Sequence, residues 1–224
     1  MNDRRTTVVI LISGRGSNLQ SIIEATRADR LPIDVRAVVS NNPEAEGLAY
    51  AREAGLATEV LDHRGFADRH AFDQALMQII DRYHPELVVL AGFMRILGQD
   101  FIRHYAGRLV NIHPSLLPAF KGLNTHARVL ESGATEHGAS VHFVTNDLDG
   151  GPVIAQGRVP VQPDDTVDSL AARVLVEEHR LYPLAIRWFV EKRLSIREGQ
   201  VLLDGDLRPE QGFSGNNTSI TSTT

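Results

Sequence analysis

A buried strand that runs into a glycine-rich turn and then a helix is the feature that most constrains this 224-residue chain. TTVVILIS (6–13) is a β-branched apolar run, typical of a strand that is covered on both faces. GRGSN follows at 14–18, and apolar residues then recur at helical spacing from Leu19 to Thr26. The alternation continues with predicted strands at 35–40, 58–62, 86–92, 108–113, 139–144 and 152–161, and helices at 47–55, 67–83, 126–132 and 167–190. This order predicts a single-domain, doubly wound α/β fold with a mostly parallel sheet.

The C-terminal part of the chain differs from this pattern. After the long helix predicted at 167–190, LSIREGQVLL (194–203) predicts a hairpin that turns at Glu198–Gly199. We therefore place one domain at 6–205, ending with a C-terminal helix and hairpin. The remaining 206–224 segment is polar and low in complexity, and is predicted to be a disordered tail.

Composition argues against several classes of function. The formal net charge is −5 and there is no basic stripe, so the sequence predicts neither a nucleic-acid surface nor a membrane-binding patch. The chain contains no cysteine, which excludes disulfides, thiolate nucleophiles and cysteine-ligated metals. No segment resembles a signal peptide or reaches transmembrane length. We expect a cytoplasmic monomer or homodimer whose only partners are small-molecule substrates.

The turn after the first strand is a candidate anion site. Gly16, Ser17 and Asn18 would supply the unpaired amides of the first helical turn, where the helix dipole favours phosphate. The alternative is an ordinary strand-to-helix turn in which Ser17 or Asn18 is the N-cap. The turn lacks the lysine of a P-loop and the third glycine of a dinucleotide fingerprint, so it favours neither ATP nor NAD.

Asn111 and His113, in the stretch NIHPSLLPAF (111–120), are the candidate catalytic pair. Side chains alternate along a strand, so these two share a face, and Pro114 ends the strand immediately after them. They would lie at the carboxyl end of a strand, where open α/β sheets bind ligands. An asparagine can donate to a developing oxyanion, and a histidine can also transfer a proton. The alternative is two polar side chains that simply hydrogen-bond at a strand end.

Three other stretches contain weaker candidates. LDGGPV (148–153) either projects Asp149 towards His113 or is only a turn. Glu178 interrupts the apolar face of the last helix, which indicates either a ligand cavity or a half-buried salt bridge. AGFMRIL (91–97) follows a strand and is either the wall of a pocket for a flat ring or part of the core.

These stretches together resemble the folate-dependent formyltransferases. The similar segments are SGRGSN (13–18), AGFMRIL (91–97), NIHPSLLPAFKG (111–122), HFV (142–144) and LDGGPVI (148–154). GLNTH (122–126) and EEHRLYP (177–183) are similar to the branch that acts on glycinamide ribonucleotide. The resemblance runs from about Thr7 to Leu203. It implies a Rossmann-like formyltransferase fold and 10-formyltetrahydrofolate as co-substrate, with no metal.

The resemblance also implies roles for particular residues. The catalytic trio would be Asn111, His113 and Asp149. The nucleotide-binding residues would be Gly16, Ser17 and Asn18 for the phosphate and Glu178 for the ribose hydroxyls. The folate-binding residues would be Arg69, Met94, Arg95, Ile96, Leu97, Asn111, Thr145 and Asp149. The substrate amine would attack the formyl carbon directly, and Asn111 with protonated His113 would stabilise the resulting oxyanion while Asp149 favours the charged ring.

Two alternatives of other kinds stay open. One is a metal-dependent hydrolase in which His113, Asp149 and another histidine are ligands. The other is a phosphosugar-sensing module that binds through GRGSN, with His113 only structural. The remaining histidines show no metal-ligand spacing, and most are assigned to surface or structural positions: 63, 70, 84, 104, 126, 137, 142 and 179.

Overall fold

The computed structural model describes residues 5–207 and 213–214 and has two sheets. The strands of the large sheet are β1 (Thr6–Ile12), β2 (Ile33–Ser40), β3 (Thr58–Val60), β4 (Leu87–Leu90), β5 (Leu109–His113), β6 (Glu136–Phe143), β7 (Val153–Pro160) and β11 (Phe213–Ser214). The small antiparallel sheet contains β8 (Leu194–Arg197), β9 (Gln200–Leu203) and β10 (Asp206–Leu207). The order in the large sheet is β11-β7-β6-β5-β4-β1-β2-β3. Every neighbouring pair in it is parallel except for β6, which runs antiparallel to β5 and to β7.

Six α-helices accompany these strands in the described part of the chain, and the predicted ones are confirmed. They are α1 (Ser17–Arg27), α2 (Gly47–Glu53), α3 (Arg69–Asp81), α4 (Gln99–His104), α5 (Thr125–Ser132) and α6 (Val167–Val190). α6 matches its predicted bounds, and a capping box between Thr166 and Ser169 fixes its start. The sequence did not predict α4. Among the described residues, no helix is both long and apolar enough to cross a membrane.

The core lies on both faces of the large sheet, as expected for a doubly wound fold. Val8 and Ile10 of β1 pack on one face with α1, α2, α5 and α6, whereas Val9 and Leu11 pack on the other face with α3 and α4. All four side chains are fully buried. The strand is therefore covered on both faces, as its continuous apolar run predicts.

The strand order reverses direction at β1. The chain passes from β1 outward through β2 to β3, and then crosses back so that β4 lies on the other side of β1. The loops that follow β1 and β4 therefore leave the same edge side by side, and the amide of Ser13 donates to the carbonyl of Gly92 at 3.1 Å. In open α/β sheets this reversal point is where ligands bind.

The C-terminal hairpin forms as predicted from β8 and β9, but the structure extends further. β10 adds a third strand to the small sheet, and β11 pairs with β7 of the large sheet. Both lie within the 206–224 segment that was predicted to be disordered, so strand structure continues past the predicted boundary at 205. Residues 208–212 and 215–224 lie outside the described part of the chain.

Candidate active site

Asn111 and His113 lie on one face of β5, as the alternation of the strand predicts. Leu109, two residues before Asn111, lies on the same face and packs in the core with α3 and α4. His113 is the last residue of the strand and is buried, and Pro114 follows it. The pair therefore lies at the carboxyl edge of the sheet, one strand away from the loop that follows β4.

His142 is a site residue that the sequence reasoning missed. It lies directly opposite Asn111 in the antiparallel β5–β6 pair, so both side chains project from the same face. Its Nδ1 is 3.0 Å from the carbonyl oxygen of Phe143, which can only accept, so Nδ1 holds the proton. Burial lowers the pKa of His142, which favours the neutral ring. Its Nε2 is then an acceptor and receives an N–H from the Asn111 amide at 3.2 Å, which fixes the amide orientation.

Asp149 joins these residues from the loop between β6 and β7. Its Oδ2 is 3.4 Å from Nδ1 of His113, and its Oδ1 is 3.8 Å from Nε2 of His142. The amide of Gly122 also donates to Oδ2, at 2.9 Å. Asp149 has a φ of 48°, a left-handed conformation that aspartate tolerates better than most residues. The structure thus brings the predicted trio together and adds His142.

The loop between β5 and α5 closes over His113. The Phe120 carbonyl lies 3.0 Å from Nε2 of His113, so Nε2 bears a proton and donates it to that oxygen. Below the loop, Ser140 accepts the Leu117 amide and donates to the Ser115 carbonyl, and Gln156 donates to Ser140. Both ring nitrogens of His113 therefore face protein groups, one a carboxylate and the other a backbone carbonyl.

The glycine-rich turn leaves the start of α1 without a side-chain cap. The N-cap is Gly16, with a φ of 76°, so the alternative in which Ser17 or Asn18 caps the helix is wrong. A Cβ on Gly16 would lie 2.8 Å from the Cα of Gly47, because the backbones of the turn and of α2 approach closely there. Only glycine suits this position. The first amides of α1 therefore remain available for an anion.

Glu178 lies beside this turn, although 160 residues separate it from Asn18. The side-chain amide of Asn18 donates to Glu178 Oε2 at 2.6 Å, and both residues are buried. Burial raises the pKa of Glu178, and the bond from Asn18 opposes this shift. The alternative of a half-buried salt bridge is not what the structure shows, because the partner of Glu178 is the side-chain amide of Asn18.

The loop after β4 exposes apolar side chains at the same edge. The side chains of Met94 and Ile96 are 71% and 62% exposed, whereas Leu97 is buried. Arg95 is half-buried, and its Nε has no partner among the described residues. Exposed apolar side chains on a loop beside polar groups are typical of a ligand site.

Two other predicted folate-binding residues lie on neighbouring elements. Arg69 begins α3, is exposed, and places its Nε near Gly98 at the end of the loop after β4. Thr145 lies in the loop that also contains Asp149. Within residues 5–207 and 213–214, no three histidine or carboxylate side chains are grouped so that they could hold a metal ion. His113, His142 and Asp149 lie close together, but in that part of the chain they are not arranged so that they could hold a metal ion.

Comparison with known proteins decides the family. The sequence profile described as formyl transferase matches residues 6–186. The chain belongs to the formyl transferase family. It is therefore a formyl-transferring enzyme with the doubly wound fold of that family, and the resemblance predicted from its motifs is confirmed.

Three similar proteins illustrate the range of this formyl transferase's relatives. The phosphoribosylglycinamide formyltransferase of Escherichia coli (strain K12) is 54% identical over 209 residues, 93% of this chain and 99% of that protein. The structure of the phosphoribosylglycinamide formyltransferase from Coxiella burnetii is 48% identical with a TM-score of 0.90, over 94% of this chain and 99% of that one. A formyltetrahydrofolate deformylase from Pseudomonas putida KT2440 is 31% identical with a TM-score of 0.80, over 91% and 71% of the two chains.

Proposed function

We propose that this enzyme transfers the formyl group of 10-formyltetrahydrofolate to the amine of 5′-phosphoribosylglycinamide, in de novo purine biosynthesis. The products are the N-formyl nucleotide and tetrahydrofolate. The observation that supports this best is the meeting of Asn111, His113 and Asp149 at the carboxyl edge of β5. The names of the relatives from Escherichia coli and Coxiella burnetii support the choice of nucleotide.

The nucleotide would bind between α1 and α6. The uncapped amides of α1 would hold the phosphate, and the Glu178 carboxylate would accept hydrogen bonds from the ribose hydroxyls. β1 and β5 are separated only by β4, so the start of α1 and the His113 group are two strand spacings apart, about 10 Å. A substrate with its phosphate at one end and its amine at the other suits this separation.

The folate would bind at the adjacent loops. Met94 and Ile96 offer exposed apolar surface to its pterin ring, and Arg69 and Arg95 offer cationic groups to its acidic tail. The Pseudomonas putida relative is a formyltetrahydrofolate deformylase, which supports a folate as the formyl donor.

The reaction would proceed by direct attack of the amine on the formyl carbon. The carbonyl oxygen becomes an oxyanion, which the Asn111 amide and the His113 ring stabilise by donating hydrogen bonds. The intermediate collapses when the bond from carbon to the folate nitrogen breaks. The folate nitrogen receives a proton, and the attacking nitrogen, now part of the formamide, loses one. The Asp149 carboxylate, 3.4 Å from Nδ1, favours positive charge on His113 while the proton is transferred. A transfer from Nε2 requires its bond to the Phe120 carbonyl to be exchanged for one to the substrate.

An assay with both substrates tests this proposal. Purified enzyme, 5′-phosphoribosylglycinamide and 10-formyltetrahydrofolate should yield formylated nucleotide and tetrahydrofolate in equal amounts. Excess chelator should not change the rate, because the mechanism uses no metal. A rate abolished by chelator and restored by one metal would instead support the metal-dependent alternative.

A second candidate activity of this formyl transferase is hydrolysis of 10-formyltetrahydrofolate when the nucleotide is absent. The structural similarity to the Pseudomonas putida deformylase favours it, since the same edge of the sheet could activate water instead of an amine. Omitting the nucleotide distinguishes the two functions. Hydrolysis continues without it and releases formate, whereas formyl transfer stops.

A further inference from the structure

The loop after β4 is held at both ends by side chains from other elements. At one end, the Met94 amide donates to Oγ of Ser13 at 2.7 Å. At the other end, the Gly98 amide donates to Oδ2 of Asp73, also at 2.7 Å. The intervening Arg95, Ile96 and Leu97 complete the stretch to which the family resemblance gives a folate-binding role, and neither Ser13 nor Asp73 is among the residues to which it gives one.

Ser13 lies where the glycine-rich turn begins, and it links three segments. Its Oγ accepts the Met94 amide and donates to Oδ1 of Asn41 at 2.5 Å. The backbone amide of Ser13 donates to the carbonyl of Gly92, so both Gly92 and Met94 of the loop after β4 bond to this single residue. Asn41 is buried and also contacts His63, which limits its movement. The hydroxyl of Ser13 is therefore a fixed acceptor.

Asp73 is a buried carboxylate that the proposed reaction does not use. It lies on α3, only 3% exposed, and its Oδ1 has no hydrogen-bond partner among the described residues. Burial raises the pKa of this carboxyl, and the bond from Gly98 together with the charges of Arg69 and Arg95 opposes the shift. A Cβ on Gly98 would lie 2.9 Å from Oδ2, so the loop approaches Asp73 as closely as a glycine permits. A buried carboxylate with an unpaired oxygen lowers stability, so its presence calls for a functional explanation.

We propose that Ser13 and Asp73 are positioning residues that hold the backbone of residues 94–98 in its folate-binding conformation before the folate arrives. This inference rests on the proposed function, which assigns the loop to folate. Two fixed acceptors order the backbone, while Met94 and Ile96 remain exposed for the ligand. The entropy of ordering the loop is then lost during folding and not during binding, which strengthens binding.

Amide hydrogen exchange of the ligand-free enzyme tests the structural part directly. Ser13→Ala should accelerate exchange at Met94, and Asp73→Ala should accelerate exchange at Gly98. Ser13→Thr and Asp73→Asn each retain an acceptor oxygen and should largely preserve protection. If Asp73→Ala does not fold, Gly98→Ala displaces the same contact from the loop side. Unchanged exchange at both amides in the alanine variants would overturn the inference.

Steady-state kinetics test the functional part. Each alanine variant should raise the KM for 10-formyltetrahydrofolate roughly ten-fold, the scale of one lost hydrogen bond that leaves a buried group unpaired. For Asp73→Ala, kcat at saturation and the KM for the nucleotide should change much less, because α3 contributes nothing to the nucleotide site. Ser132→Ala on α5 and Asp168→Ala on α6 are controls of the same residue types at exposed positions of helices on the opposite face of the sheet, and should leave all constants unchanged.

The two kinds of failure are distinguishable. Absence of formyl transfer in the wild-type enzyme would refute the proposed function, whereas the exchange experiment would still decide whether Ser13 and Asp73 order the loop. Faster exchange with an unchanged KM for folate would overturn the inference, because the loop order would then have no effect on folate binding.

Discussion

At the scale of single residues, Asp149 connects the two histidines of the site. It lies 3.4 Å from His113 and 3.8 Å from His142, and its Oδ2 accepts the Gly122 amide. Its charge therefore acts on the ring that is proposed to stabilise the oxyanion, and its hydrogen bond holds the loop above that ring. Replacing the carboxylate by an amide removes the charge but nearly preserves the shape.

Asp149→Asn should therefore lower kcat by roughly 10²-fold or more, the scale of losing one oxyanion-stabilising donor. The KM for the nucleotide should remain nearly unchanged, because its phosphate and ribose would bind at α1 and Glu178. His113→Ala should lower kcat at least as much, and the double variant little more than the worse single one, as for residues that act as a unit. The measurement is steady-state kinetics of the three variants with thermal melts as a folding control. Wild-type turnover in Asp149→Asn would mean that Asp149 is only a turn residue.

The sequence could predict part of this site, and physics explains which part. Asn111 and His113 are two residues apart in one strand, so local alternation places them together. Grouping Asp149 with them required the family resemblance. The sequence did not identify His142 as a site residue because its pairing with Asn111 depends on the register between β5 and β6, which is a non-local property. The sequence did not identify Asp73 either. Its helix pattern indicates only a polar residue on a buried face, and its hydrogen-bond partner Gly98 lies 25 residues away.

At the scale of elements, α5 and β6 are joined by a pair of histidines, of which His137 is buried and His126 is half-buried. Nδ1 of His126 lies 3.0 Å from Nε2 of His137, which is 1% exposed. Burial, together with repulsion from His126 and His113, lowers the pKa of His137 to about 4. Burial likewise lowers the pKa of His126. Both rings are therefore neutral in the folded protein at pH 7, where one can donate to the other.

This pair predicts a loss of stability in acid. Between the unfolded value of 6.5 and about 4, the unfolded chain binds a proton at His137 that the folded protein does not. The free energy of unfolding should therefore fall as the pH is lowered through this window, by about 3 kcal/mol for this residue. Urea unfolding of the wild type and of His137→Gln at pH 7 and pH 4.5 measures the effect. The variant should lose less stability on acidification, and equal losses in the two proteins would contradict the assignment to His137.

Helix prediction succeeded or failed according to periodicity and capping. α6 has 24 residues, an apolar stripe that Glu178 interrupts, and a capping box that marks its start in the sequence. α4 has only six residues and Phe101 as its one buried position, and no side chain caps it. Its two apolar residues, Phe101 and Ile102, are adjacent and define no helical period, so packing of Phe101 in the core with residues of α3, and not a periodic pattern, stabilises this helix.

At the scale of the whole molecule, distant parts of the chain form one site. Asn18 and Glu178 are separated by 160 residues, and β5 meets a loop from beyond β6. The strand order explains this arrangement, because the reversal at β1 brings the loops after β1 and β4 to one edge next to β5. Composition predicted a disordered tail, but β11 lies within that segment and extends the sheet beyond β7.

The outer side of strand β7, at one end of the strand order, is partly covered by β11. Phe213 and Ser214 pair in parallel with Ala155 and Gln156 of β7, so they cover part of an edge that would otherwise expose unpaired backbone groups. A chain ending at Ser214 should keep the wild-type melting temperature, because residues 215–224 contain no apolar pattern. A chain ending at Leu207 should lose about 1–2 kcal/mol of stability and melt several degrees lower, on the scale of two lost backbone hydrogen bonds.

The shorter chain should also self-associate more readily through the uncovered edge of β7. Its kcat should remain close to that of the wild type, since every predicted site residue precedes β8. Calorimetry and light scattering of the two truncated chains at matched concentration provide the measurement. Equal melting temperatures for the chains ending at Leu207 and Ser214 would show that β11 adds nothing to stability. A drop already present in the chain ending at Ser214 would place the stabilising contacts in residues 215–224 instead.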